Sequence, residues 1–162
     1  MTFPPKMGSD ILRLDLQTGQ ASVFMSTPFN ETHPVPSPDG RWLAYTSNES
    51  GRDEIYVQSL LDDGGKWQIS TDGGSRPAWT RGGREIIYQG ADRKLVAVDI
   101  RLEPMFQAGT PNPLFDPRAR VQNLQAWDVS ADGERFLVNR AIETRGVEPI
   151  TLVQNWPATL KK

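Results

Sequence analysis

Apolar and polar residues alternate in short runs along the chain, beginning with the run DILRLDL at residues 10–16. A period of two is typical of a β-strand with one buried face, whereas an amphipathic helix repeats every 3.6 residues. Several further runs of this kind follow, and no long stretch has the helical period. The pattern predicts an all-β chain.

The clearest turn signal is the segment SPDG at residues 37–40, which lies between two apolar runs. Pro38 sets φ for the second turn position, and Gly40 can adopt the left-handed conformation that follows. Related segments occur at residues 76–88 and 127–138, so that Gly83 and Gly133 continue the series at spacings of 43 and 50 residues. A β-hairpin therefore recurs, which predicts a repeat protein.

The predicted strands fall into four groups, at residues 10–26, 33–71, 75–116 and 123–156. These groups hold two, four, four and three predicted strands. Four-stranded sheets repeated every ~40–50 residues are typical of a β-propeller, whose ring closes with about 4–8 blades. We predict a single β-propeller segment of four-stranded antiparallel blades, about three and a quarter in number. This is half of a six-bladed ring or a fragment of one.

Two parts of this assignment rest on weaker patterns. In the second complete blade we predict a last strand near residues 114–115, because residues 101–112 hold prolines and a glycine that discourage regular structure. In the final group the predicted strands cover residues 125–130, 135–141 and 150–155.

An arc of three blades would leave two apolar blade faces uncovered. Either further blades of a longer chain cover them, or a second copy of this chain does. In a two-fold dimer the N-terminal hairpin of one chain would complete the last blade of the other. We therefore expect a homo-oligomer, namely a dimer, or missing blades from a longer chain.

Composition narrows the range of partners. The net charge of −2 gives no electrostatic argument for a nucleic acid or an anionic membrane. The chain has no cysteine and one histidine, which excludes disulfides and a multi-histidine metal site. No apolar run approaches the roughly 18 residues of a membrane span, and the first residues lack the apolar core of a signal peptide. We expect no metal, no cofactor and no membrane insertion.

Candidate catalytic groups are few. A serine hydrolase triad would have to use His33, and no G-x-S-x-G turn accompanies it. The paired carboxylates, such as Asp53 with Glu54, lie at predicted turns or strand ends, so we interpret them as solvated. Of the five tryptophans, we assign Trp42, Trp79 and Trp127 to the core between blades. We therefore predict no catalytic residue and no enzymatic activity.

Propellers generally bind ligands where their inner strands and connecting loops converge at the channel mouth. The residues near predicted inner-strand starts combine charge, amide and aromatic groups, which suit a peptide or a small polar ligand. The predicted partner-binding residues are Glu31, His33, Ser75, Arg76, Gln125 and Trp127.

The repeat also resembles a known family. The pattern HPxxSPDGRxLAY at residues 33–45, with Ile55-Tyr56-Val57 after it, is similar to the WD-repeat-like repeat of TolB-type β-propellers. The tail, with AGxP at residues 108–111, WDVS at 127–130 and VxNW at 153–156, resembles propeller segments associated with bacterial serine/threonine kinases. Residues 80–83 and 130–133 depart from the SPDG pattern but keep its glycine.

The resemblance implies a non-enzymatic module that binds a protein or peptide partner or serves as a scaffold. It would be TolB-like or the sensor part of a larger kinase-linked protein. The alternative is the accessory propeller of a peptidase or of a polysaccharide lyase or hydrolase. A periplasmic or other extracytoplasmic location is favoured by the resemblance, and a cytoplasmic one stays open.

Overall fold

The computed structural model describes residues 8–61, 65–117 and 127–139. Within these ranges the chain forms β-strands and one short 3-10 turn at Arg81–Gly83, with no α-helix. The predicted all-β class is confirmed. The predicted strand at residues 150–155, together with Gln125 and Trp156, lies outside the described residues.

Four antiparallel sheets succeed one another along the chain. The N-hairpin consists of β1 (Ile11–Leu14) and β2 (Ala21–Met25). Sheet I has the strand order β3 (Glu31–Pro36), β4 (Trp42–Ser47), β5 (Glu54–Ser59) and β6 (Lys66–Gln68). In sheet II, β7 (Gly74–Thr80), β8 (Glu85–Gly90) and β9 (Leu95–Arg101) are followed by β10 (Gln107–Ala108) and β11 (Asn112–Pro113), which both pair with β9. The C-hairpin consists of β12 (Trp127–Val129) and β13 (Phe136–Val138).

These sheets are stacked face to face, and an apolar layer lies between each neighbouring pair. Sheets I and II share the largest cluster, in which Trp42 and Ile55 meet Trp79 and Ile86. Smaller clusters join the N-hairpin to sheet I and sheet II to the C-hairpin. Every residue of β4 is buried because sheet I is covered on both faces. Successive four-stranded sheets packed in this way form a segment of a β-propeller.

The predicted turn chemistry is confirmed in the first repeat. Gly40 has a φ of 69° and donates its N–H to the Ser37 carbonyl at 2.9 Å. The Ser37 hydroxyl donates to Asp39 and accepts the Trp42 N–H at 3.0 Å. Serine, aspartate and glycine therefore each serve the hairpin geometry.

The last hairpin repeats this network. Ser130 donates its hydroxyl to Asp132 and accepts the Arg135 N–H at 3.0 Å. The N–H of Gly133 donates to the Ser130 carbonyl at 2.8 Å. The hairpin keeps its geometry without the proline of the SPDG pattern, because serine, aspartate and glycine make all of these contacts.

Sheet II corrects the prediction for residues 101–116. The outer strand begins two residues earlier than predicted, at Asn112–Pro113. Two backbone hydrogen bonds extend it, one from the Leu114 N–H to the Leu95 carbonyl and one from the Leu95 N–H to the Phe115 carbonyl. Gln107–Ala108 also pairs with β9, inside the segment expected to be irregular. Prolines are tolerated here because β10 and β11 are edge strands, whose outward N–H groups need no partner in the sheet.

Candidate functional site

The inner strand β3 of sheet I carries a β-bulge at its start. Its pairing with β4 shifts between Thr32 and Val35, so that His33 and Pro34 together lie opposite Tyr45. A bulge adds one residue to a strand and turns a side chain away from its regular direction. His33 is the residue turned in this way.

The inner strand β7 of sheet II repeats the bulge at the equivalent position. Its register shifts between Ser75 and Ala78, so that Arg76 and Pro77 together lie opposite Tyr88. The N–H of Arg76 donates to the Thr46 hydroxyl of sheet I at 3.2 Å, which ties this bulge to the neighbouring sheet. The two sheets therefore present His33 and Arg76 in the same manner.

Both bulge residues have a backbone conformation that side chains disfavour. His33 has a φ of 52° and Arg76 a φ of 57°. A left-handed residue other than glycine costs about 1–3 kcal/mol and persists only where its surroundings hold it, often at functional sites. Neither residue precedes a tight turn that would require the conformation. The repeat therefore maintains two strained polar positions at the inner edge of adjacent sheets.

His33 and Arg76 also influence each other electrostatically. The partial burial of the His33 imidazole lowers its pKa below the ordinary value, and the Arg76 guanidinium lowers it further. The Asp53 carboxylate opposes this shift. The cationic Arg76, the neutral His33 and the anionic Asp53 thus share one region. Such a region suits a polar ligand with hydrogen-bond donors and acceptors.

The other predicted site residues have different surroundings. Glu31 and Trp127 are buried, and Trp127 packs on sheet II beside Ile87. Ser75 is half-buried in β7 next to Arg76, and Gln125 lies outside the described residues. The structure therefore brings His33 and Arg76 together, with Ser75 adjacent to Arg76 along β7, while the side chains of Glu31 and Trp127 belong to junctions between sheets.

Glu54 contradicts the interpretation of the paired carboxylates as solvated. Its side chain is 1% exposed and accepts hydrogen bonds from Arg52 at 2.7 Å, from the Gly73 N–H at 2.9 Å and from the Ser70 hydroxyl. Three donors offset the loss of hydration, which is why the carboxylate can be buried at this sheet junction. Sequence position alone did not reveal this, because Ser70 and Gly73 come from a different strand connection.

The tyrosines opposite the bulges are buried. Burial, together with the charge of Glu54 and Asp72, raises the pKa of Tyr88 to about 12. Burial raises the pKa of Tyr45 as well, assisted by Glu49 and Glu31. Both phenols therefore stay neutral at physiological pH and give the bulges an apolar, uncharged backing. The assignment of Trp42, Trp79 and Trp127 to the core between sheets is confirmed.

In the described ranges no group of three or more histidine, cysteine, aspartate or glutamate side chains could hold a metal ion. In those ranges, too, no helix is long and apolar enough to span a membrane. A polar cleft of about 420 Å³ near Ser50 and Gln68 contains the ion pair of Arg52 and Glu54, which serves the sheet junction.

Comparison with known proteins gives a structural relative. No protein-family model matches the sequence, and no curated protein matches it. A solved structure from Agrobacterium tumefaciens, of a protein described as a TolB, superposes with a TM-score of 0.53 at 20% sequence identity. The match covers 66% of this chain and 41% of that chain, so this chain spans less than half of the relative's length. Over the matched part, the chain therefore shares the β-propeller fold of this relative.

Proposed function

We propose that this chain is a non-enzymatic binding module that takes a protein or peptide segment at the channel mouth formed by its inner strands. The observation that carries the proposal is the repeated bulge, which holds His33 and Arg76 in a strained conformation on adjacent sheets. Strained positions of this kind persist because the surrounding structure holds them, here the pairing with β4 and β8, and they cluster at functional sites. The TolB-like fold supports the proposal, because ring-shaped propellers present their inner strands around one channel.

The polar character of the site favours a peptide over a nucleic acid. The chain has a net charge of −2, and the acidic group of Asp53 lies near His33 and Arg76. A nucleic-acid surface would instead need a basic patch. On the basis of the sequence resemblance, we also propose an extracytoplasmic location and a role as a TolB-like or kinase-linked sensor module.

The double variant His33→Ala/Arg76→Ala tests the site. A peptide is first selected from a displayed library on the intact chain, and its binding is then measured by fluorescence anisotropy. We expect the double variant to bind this peptide roughly tenfold to a hundredfold more weakly, since two polar contacts are lost. Unchanged affinity would place the binding site elsewhere.

Arg93→Ala is the matched control. Arg93 is also left-handed, with a φ of 68°, but it lies in the exposed turn between β8 and β9. Its replacement removes the same charge as Arg76→Ala, and alanine keeps the Cβ, so the left-handed backbone stays equally disfavoured in both variants. Binding by this variant should equal that of the unmodified chain.

A further inference from the structure

We infer that the chain has a second binding site, the edge cleft, which is lined by Trp67, Glu103 and Met105 at the outer edge between sheets I and II. An extended segment of a partner protein binds there, by adding a strand to β6 and inserting an apolar side chain into the cleft. This site lies outside the proposed channel-mouth function, because β6 and the strand that carries His33 form opposite edges of sheet I. Three strand spacings, or about 14 Å, separate the two strands.

The edge cleft has the size and the lining of a binding pocket. It has a volume of about 610 Å³ and lies between the connection from β5 to β6 and the segment that follows β9. Binding pockets usually hold about 300–1,000 Å³ and are mostly apolar. Most residues that line the cleft are likewise apolar, among them Trp42, Leu61, Trp67, Met105 and Phe106.

Three aromatic rings form one wall of the edge cleft. The ring centre of Trp67 lies 4.6 Å from that of Phe106 and 5.5 Å from that of Trp42. Leu61 and Met105 also line the cleft, and they are 56% and 69% exposed. Methionine suits such a position, since its flexible side chain adapts to the group that it contacts. Exposed apolar residues beside an aromatic wall indicate a surface that a partner's apolar side chain would cover.

The ladder between β5 and β6 shows which backbone groups of β6 point inward. The Ile69 N–H donates to the Ile55 carbonyl at 2.8 Å, and the Ser59 N–H donates to the Gly65 carbonyl at 3.0 Å. Bonded pairs alternate with non-bonded pairs in an antiparallel ladder. Trp67 lies midway between Gly65 and Ile69, so its backbone groups bond inward to β5.

The two neighbours of Trp67 direct their backbone groups outward. The N–H and carbonyl groups of Lys66 and Gln68 face the outer edge, where no strand of the described residues pairs with β6. The Lys66 ammonium is turned toward β5, because it bonds Glu49 and lies 4.8 Å from the centre of the Tyr56 ring. An extended segment can therefore hydrogen-bond to β6 as an added strand.

Such a strand would deliver a side chain to the edge cleft. Facing residues of neighbouring strands point to the same side of a sheet, and in antiparallel pairs they approach most closely at non-bonded positions. Toward the added strand Trp67 takes the non-bonded position, and its ring packs against the cluster shared with sheet II. The partner side chain opposite Trp67 therefore enters the cleft beside the aromatic wall.

The rim of the edge cleft carries an excess of negative charge. Arg41 and Glu103 are the charged residues in its described lining, and Arg41 Nη1 lies 3.4 Å from Glu103 Oε1. Arg41 also pairs with Asp39 at 3.9 Å, so one guanidinium faces two carboxylates. The Glu103 side chain is 77% exposed and can bind a further cation. This charge favours a segment with lysine or arginine beside its apolar residue.

A peptide selection tests the edge cleft separately from the channel mouth. Random linear peptides are displayed and selected on the intact chain, and those that also bind Met105→Arg are discarded. This step removes channel-mouth peptides, because Met105 lies at the edge cleft. We expect the remaining peptides to combine an aromatic or aliphatic residue with lysine or arginine. They should bind Met105→Arg roughly tenfold to a hundredfold more weakly, since a charge then stands against the apolar wall.

Leu137→Arg is the matched control. Leu137 is also exposed, at 77%, but it lies on the C-hairpin, on the other side of sheet II from the edge cleft. The selected peptides should bind this variant and the intact chain equally. If no peptide distinguishes the intact chain from Met105→Arg, the inference is overturned.

Methylation of the peptide backbone tests strand addition itself. Methylating single nitrogens of a selected peptide should weaken binding about tenfold at alternate positions, since every second N–H of an antiparallel strand bonds to its neighbour. A methylation scan without this alternation would overturn the inference. Self-association in light scattering that Met105→Arg abolishes would overturn it as well, because a second copy of the chain would then occupy the cleft.

Discussion

Replacing Trp79 with alanine should lower the free energy of unfolding by about 3–5 kcal/mol. Trp79 is buried between sheets I and II, and its indole N–H donates to the Val35 carbonyl of the neighbouring sheet at 3.0 Å. The substitution removes a large apolar side chain and leaves that carbonyl without its partner. Since small domains are stable by about 5–15 kcal/mol, a large fraction of the stability should be lost.

Urea unfolding followed by circular dichroism measures this effect without relying on tryptophan fluorescence. Trp79→Phe should cost only about 1 kcal/mol, because most of the apolar contact remains and one hydrogen bond is lost. Trp67→Ala is the comparison: it removes the same side chain from the rim of the same cluster, on the edge strand β6, where the side chain is half-buried and its loss should cost less. If Trp79→Ala costs no more than Trp67→Ala, the packing of sheet I on sheet II is not the main source of stability.

Replacing Glu54 with alanine should be nearly as severe, at about 3 kcal/mol. The buried carboxylate joins Arg52, Ser70 and Gly73, so its loss leaves the Gly73 N–H and the Ser70 hydroxyl without an acceptor. Arg52 is more than half exposed and regains water, which keeps the cost below that of an isolated buried charge. Glu54→Gln retains an acceptor and should cost about 1 kcal/mol.

Glu103→Ala provides the control for charge removal. Glu103 pairs with Arg41 at 3.4 Å on the surface, where an ion pair contributes about 0.2–1 kcal/mol. Equal losses for Glu54→Ala and Glu103→Ala in chemical unfolding would contradict the assignment of Glu54 to the sheet junction.

The fold was predictable because its signals are local. The turn at residues 37–40 needs serine, aspartate and glycine at fixed spacing, and two further copies of the hairpin could be recognised from the retained glycine. The alternation of apolar and polar residues in β1 and β5 predicted these two strands. In sheet II the outer strand begins two residues before its predicted position, and the short strand β10 was not predicted, because edge strands tolerate the prolines that argue against a strand elsewhere.

The site was predictable only in part. The start of each inner strand was visible from the repeat, which led to His33 and Arg76. Their left-handed conformation had no sequence signal, because it arises from pairing against Tyr45 and Tyr88 across the strand. The burial of Glu31 and Glu54 depends on contacts between strands and their connections, and such contacts leave no periodic pattern in the sequence.

A titration of His33 tests most directly whether adjacent sheets present their bulge residues to one common region. His33 is the single histidine, so its imidazole resonances in an NMR spectrum are unambiguous. We predict a pKa below the ordinary value of 6.5, rising when Arg76 is replaced by glutamine and unchanged when Arg93 is replaced by glutamine. A pKa at the ordinary value that does not respond to Arg76→Gln would contradict the account, because His33 and Arg76 would then not share one site.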